Sequence, residues 1–233
     1  PATSGPHDDY ALSNNWGYNY VAFLDYDMAT GGSIYREAVR RPLTNLGKPL
    51  YHQHKWKRDN IDGPADSIEG GLYVLAYEPV ETGIRWTDTE VRDDLLPRLT
   101  DGINKFYCNA ARTTILYALS KTQNIHTLKW RADLRLGAAR DGEGVKVFVG
   151  AKDPWDGPLI FDIPRHREWL HFTRDWPRIN YLPEYFTVEL DKEYQVQVGD
   201  EAAHTMKGEE LRKGLPVRLA AGQGLLISVT PAR

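Results

Sequence analysis

A single cysteine, Cys108, stands in the 233 residues, which excludes an intrachain disulfide and a thiolate metal cluster. No apolar run approaches the ~18 to 20 residues that cross a bilayer as a helix. A basic surplus is missing too. The formal net charge of −3 argues against a nucleic-acid binder, which needs cationic groups to offset phosphates. There is no phosphate loop, dinucleotide fingerprint or Ser-nucleophile elbow. The chain begins at Pro1 without an initiator Met or a signal peptide, and the short polar stretch Pro1 to Asp9 reads as a frayed end. A processing boundary, with residues missing upstream, is the expectation.

Hydrophobic residues make up 41% of the chain and charged residues 26%, ordinary proportions for a globular protein with a real core. Seven Trp and 13 Tyr supply many rings. They serve core packing or flat platforms for sugar rings. The hydrophobic rhythm changes near residue 127. Ile68, Leu72 and Leu75 recur at helical spacing, whereas Leu128, Trp130, Ala132, Leu134 and Leu136 alternate as in a half-buried strand. The reading is α+β and multidomain, with helical residues 1–126 followed by an all-β segment, 127–233.

Five helices are expected. The first runs from Trp16 to Met28 and stops at Gly31-Gly32, and the second begins after Ser33 as N-cap, with Pro42 kinking or splitting it. Asp66-Ser67-Ile68-Glu69 fits an acidic capping box opening the third, and Thr87-Asp88-Thr89-Glu90 opens a fourth that ends near Pro97. The fifth follows Asn109 and carries Ile115, Leu116 and Leu119. Short connections would pack these as antiparallel hairpins. Strands are expected at 128–136, 145–149, 159–163, 169–173, 186–190, 194–198, 217–220 and 225–229. Asp141-Gly142 is a hairpin turn and Gly208-Glu209-Glu210-Leu211 a helical turn. Such spacing suits a sandwich.

Three polar constellations can carry chemistry. The densest is Tyr51-His52-Gln53-His54-Lys55-Trp56-Lys57-Arg58-Asp59-Asn60, running on to Asp62, Asp66 and Glu69. His52 or His54 suits a general base, because imidazole titrates near neutrality. No third ligand stands at a recognisable metal spacing from them, so neither a metal nor another cofactor is expected. Trp56, Arg58 and the three carboxylates suit substrate binding, although Asp66 and Glu69 also read as helix caps. The second constellation, Ser13-Asn14-Asn15-Trp16-Gly17-Tyr18-Asn19-Tyr20, offers amides, phenols and an indole, either for a sugar or for a capped helix start. The third, Pro164-Arg165-His166-Arg167-Glu168-Trp169 with Arg174-Asp175-Trp176-Pro177-Arg178-Ile179-Asn180, reads as ion pairs and Arg–Trp stacking or as a carboxylate-binding surface.

The order of elements, together with the Asn14-Asn15-Trp16 run, resembles the rear part of polysaccharide-degrading enzymes in which an α/α toroid precedes β-sandwich domains. Heparinase II/III-like lyases are the nearest type. The resemblance implies part of a toroid, completed by a missing N-terminal portion or a second chain, and then a C-terminal β-sandwich. It implies β-elimination on a uronate-containing polysaccharide, with Asn15 neutralising the carboxylate and Tyr18, Tyr20, His52 or His54 as base or acid. Trp16, Trp56, Arg58, Asp62, Asp66 and Glu69 would bind substrate. A secreted or periplasmic setting goes with such a substrate, and neither nucleic acid nor membrane is an expected partner. Two alternatives stay open. One is a glycoside hydrolase using two carboxylates among Asp62, Asp66 and Glu69. The other is a non-catalytic carbohydrate-binding or assembly chain.

Overall fold

The computed structural model describes residues 15–48, 61–100, 108–180 and 182–232. The chain is α+β and divides into two compact units, one running to Tyr117 and including Trp176–Pro183, the other Ala118–Asp175 with Glu184–Arg233. The division therefore falls inside the last long helix rather than at residue 127. Among the described residues no helix is long and apolar enough to cross a membrane.

The first unit is built around α3 (Asp62–Tyr77), which is buried over most of its surface. A helix enclosed on nearly all sides must be apolar or small all round, and Ala65, Ile68, Gly70, Gly71, Leu72, Val74 and Leu75 satisfy that. Helix α1 (Trp16–Thr30) crosses it where Gly17 meets Gly70. A Cβ built on Gly17 would overlap the carbonyl carbon of Gly70, so only glycine permits this approach. The α1 helix ends at Gly31, whose left-handed φ of 68° lets its N–H turn back to the Asp27 carbonyl.

Helix α2 (Arg36–Asn45) begins after Tyr35 rather than at Ser33, because the Tyr35 N–H is held by the Asp27 carboxylate at 3.1 and 3.3 Å. It runs through Pro42, which does not split it. The capping box proposed for the third helix is not there. Helix α3 starts four residues earlier, and Asp66 and Glu69 lie within it. The fourth helix also starts earlier. Helix α4 (Glu81–Glu90) continues through a π-helical turn, Val91–Leu95, into α5 (Leu96–Thr100). Thr87 is mid-helix, its hydroxyl donating to the Ile84 carbonyl at 2.7 Å, and Asp88 accepts from the Tyr117 hydroxyl at 2.9 Å. Helix α6 spans Cys108–Thr122.

In the second unit a five-stranded antiparallel sheet has the order β1-β2-β7-β4-β5, from β1 (Arg135–Asp141), β2 (Gly144–Gly150), β4 (Glu193–Val198), β5 (His204–Lys207) and β7 (Gly224–Pro231). A separate pair joins β3 (Trp155–Leu159) to β6 (Leu215–Leu219). Alternation fixes the register. Val145, Val147 and Val149 of β2 pair with Val229, Ile227 and Leu225 of β7, all but the last fully enclosed. Gly142, at φ 60°, makes the expected turn between β1 and β2. Short helices α7 (Arg165–Glu168) and α8 (Gly208–Lys213) complete the unit.

Four strand expectations change. Residues 128–134 form no strand, since Leu128 and Trp130 are 82% and 69% exposed. Arg131 binds Asp133 and the carbonyls of Asp153 and Pro154, and the Trp155 indole donates to Lys129. These contacts tie the segment to residues 153–155 and engage the Lys129 carbonyl outside any ladder. Residues 169–173 leave α7 through a turn at 169–170 and form no strand, with His171 at φ 56°. Residues 186–190 keep only the bridge between Asp162 and Thr187. The strand expected at 159–163 lies at 155–159 instead.

Candidate functional site

The first unit gathers a charged cluster from three helices and the Trp176–Pro183 segment. Helix α3 presents Asp62, Asp66 and Glu69, α6 presents Asn109 and Arg112, α1 presents Tyr18, and Arg178 completes the group. The spacing explains the geometry. Positions 62, 66 and 69 repeat at four and three residues, so all three carboxylates share one helix face. Asn109 and Arg112 are three apart on α6, and they meet that face as a matched pair. Asn109 Nδ2 donates to Asp62, and the Arg112 guanidinium donates twice to Glu69, its Nε at 2.8 Å. Thr113, one residue on, fixes the helices together by donating to the Ala65 carbonyl at 3.0 Å.

The carboxylates differ sharply in exposure. Glu69 is 1% exposed and is committed to Arg112, an arrangement of a buried charge with its counter-charge. The Asp66 side chain is 21% exposed, and Arg112 Nη2 lies 3.7 Å from it. That separation is too long for a strong hydrogen bond, and the guanidinium is already engaged by Glu69. Burial above all, and then the charges of Asp62 and Glu69, push the Asp66 carboxyl up to about 6 against the opposing pull of Arg112 and Arg178. Asp66 therefore changes protonation close to neutrality, as an acid or base must.

Tyr18 lies beside this pair. Burial, then Glu69 and Asp66, hold its phenol well above the ordinary range, so it keeps its proton. The Arg178 guanidinium lies 4.0 Å from the centre of its ring, a cation–π contact. Arg178 adopts φ 66°, a left-handed conformation uncommon for any residue other than glycine. Arg178 is exposed and adds a cation to the cluster.

The remaining expected residues are distributed as follows. Asn15 is exposed at the start of α1 and its side chain makes no cap bond. Trp16 is fully enclosed. Its indole donates to Ser67 Oγ at 2.9 Å and packs edge-on to Trp86 at 5.7 Å, so it offers no free face to a sugar. Tyr20 is half-buried against Trp16 and Phe23, and at two residues' spacing it does not share a helix face with Tyr18. His52, His54, Trp56 and Arg58 lie outside the described residues. Sequence reasoning reached Tyr18, Asp62, Asp66 and Glu69 but missed Asn109 and Arg112. The signal was present in their three-residue spacing, which complements the 62–66–69 face. Arg178 was visible only as part of a cluster assigned to the β segment. No family model matches this chain, and no curated protein or solved structure matches it. Function is therefore read from the chemistry of the cluster.

Proposed function

We propose that the chain is a carbohydrate-active enzyme that cleaves a uronate-containing polysaccharide by β-elimination, in the manner of the heparinase II/III-like lyases it resembles. In this reading the helices belong to an α/α toroid, the sheets form a β-sandwich, and the setting is secreted or periplasmic. The supporting observation is Asp66, a carboxyl poised at about 6 between cations and next to a phenol that keeps its proton. Arg178, with Asn15, neutralises the uronate carboxylate and so acidifies the adjacent C–H. The Asp66 carboxylate takes that proton. The electron pair forms the C=C bond as the C–O bond to the leaving sugar breaks, and Tyr18 gives its proton to the departing oxygen. Transfer of the proton from Asp66 to Tyr18 restores both groups. Arg112 holds Glu69 in place and keeps its charge compensated.

A hydrolase reading uses the same carboxyl as general acid, with Asp62 as its partner, since Glu69 is enclosed and committed to Arg112. A binding-only reading draws on a hollow of about 430 Å³ in the second unit, where Phe148 stands among Asp133, Arg135, Lys152 and Gln223. Its ring lies against Gly150 and Gly224 and is nearly half exposed, a platform for a sugar ring. Incubation with uronate polymers separates the three. Ultraviolet absorbance from an unsaturated product supports elimination. New reducing ends without that absorbance support hydrolysis, and binding without turnover supports the third reading.

A further inference from the structure

Away from the carboxylate cluster, the second unit gathers His166, Asp175 and Glu184, whose potential ligand atoms all lie within 4.8 Å of one another. All three residues are partly buried, and the Glu184 side chain is only 5% exposed. The His166 backbone N–H donates to Glu184 Oε1 at 2.6 Å, and its Nδ1 lies 2.8 Å from Glu184 Oε2. The scaffold under His166 is fixed. Arg165 Nε donates to Asp162 at 2.9 Å, and Asp162 also accepts from Asn124 at 3.0 Å and from the Ile163 N–H at 3.0 Å. Asp175 and Glu184 are the residues of the second unit that flank Trp176–Pro183, the segment bearing Arg178.

We propose that His166, Asp175 and Glu184 form a zinc site that clips together the two chain ends from which Trp176–Pro183 departs. One imidazole nitrogen and two carboxylate oxygens are a donor set that suits zinc, with water completing the tetrahedron. Ligand atoms about a tetrahedral zinc stand ~3.3 Å apart, so small side-chain adjustments from the present separations close the site. A dication also offsets the charge of two carboxylates held close together, the Glu184 side chain being only 5% exposed. Residues 166, 175 and 184 follow no metal motif in sequence, since the site depends on the chain returning to its starting point after the excursion.

The test uses the whole chain, stripped with a chelator and dialysed against zinc chloride. We expect about one zinc per chain and a Tm several degrees higher than that of the stripped protein. Asp175→Asn removes one ligand and keeps both His166–Glu184 contacts, so it should stay folded by circular dichroism yet lose at least tenfold in zinc affinity. A double variant, His52→Asn with His54→Asn, should bind zinc as the parent does. Uptake below about a tenth of an equivalent would overturn the proposal. So would unchanged affinity in Asp175→Asn, or loss of binding in the His52/His54 double variant.

Discussion

Asp66 carries two opposite consequences, one for stability and one for chemistry. Its folded carboxyl titrates at about 6, above the ordinary value near ~4. Between those values the folded state holds the extra proton, so stability falls as pH rises through that window. Above it, the fold keeps a charged, mostly buried carboxylate at a cost. Asp66→Asn should therefore stabilise the chain by ~1–2 kcal/mol at pH 7 and leave it little changed at pH 4, as urea unfolding at both pH values would show. The same substitution should lower turnover at least ~100-fold. Glu69 behaves differently because it is enclosed and paired. Arg112→Met strands its charge and should cost about 3 kcal/mol in urea unfolding at pH 7. A loss below ~1 kcal/mol would contradict the pairing described here.

The helix crossing at Gly17 and Gly70 sets how closely α1 and α3 approach, and hence where Tyr18 stands relative to Asp66. Gly17→Ala introduces a methyl group into backbone and should destabilise by ~2 kcal/mol or more in the same unfolding assay. Trp130→Ala, in contrast, removes an exposed ring and should change stability by less than ~0.5 kcal/mol. Strands β2, β4, β6 and β7 were legible because their apolar spacing matches the face they bury, whereas α6 was legible in extent only, since Ile115 is 55% exposed and the helix buries Ala110, Thr113 and Leu116. The alternation misled over 128–134, ahead of β1, because periodicity says nothing of competing local bonds. Arg131 and Trp155 use those bonds to hold the segment outside the sheet. Asp66-Ser67-Ile68-Glu69 misled for a related reason. Acidic residues that read as helix caps are helix-interior partners of Arg112 and neighbours of Tyr18, and that pairing spans more than forty residues of sequence.

At the scale of the molecule, each unit has its own core, one around α3 with Trp16, Tyr73 and Trp86, the other around β2 and β7 with Phe161 and Phe186. Hydrogen exchange should be slowest in α3 and in the β2–β7 ladder, and faster in residues 128–134 and 169–175. The α+β order was readable from helical spacing in α3 followed by alternation in β2, β4, β6 and β7, although not from the 128–136 run that first marked the switch. The return of Trp176–Pro183 to the helical unit was not, because a single crossing segment leaves no periodic trace. That return brings Arg178 onto Tyr18 and completes the proposed site. The most direct measurement is the pH dependence of unsaturated-uronate formation by the parent chain and by Asp66→Asn. The account predicts a rise in rate through pH 6 in the parent and its loss in the variant. A variant that retains both the rate and the profile would contradict it.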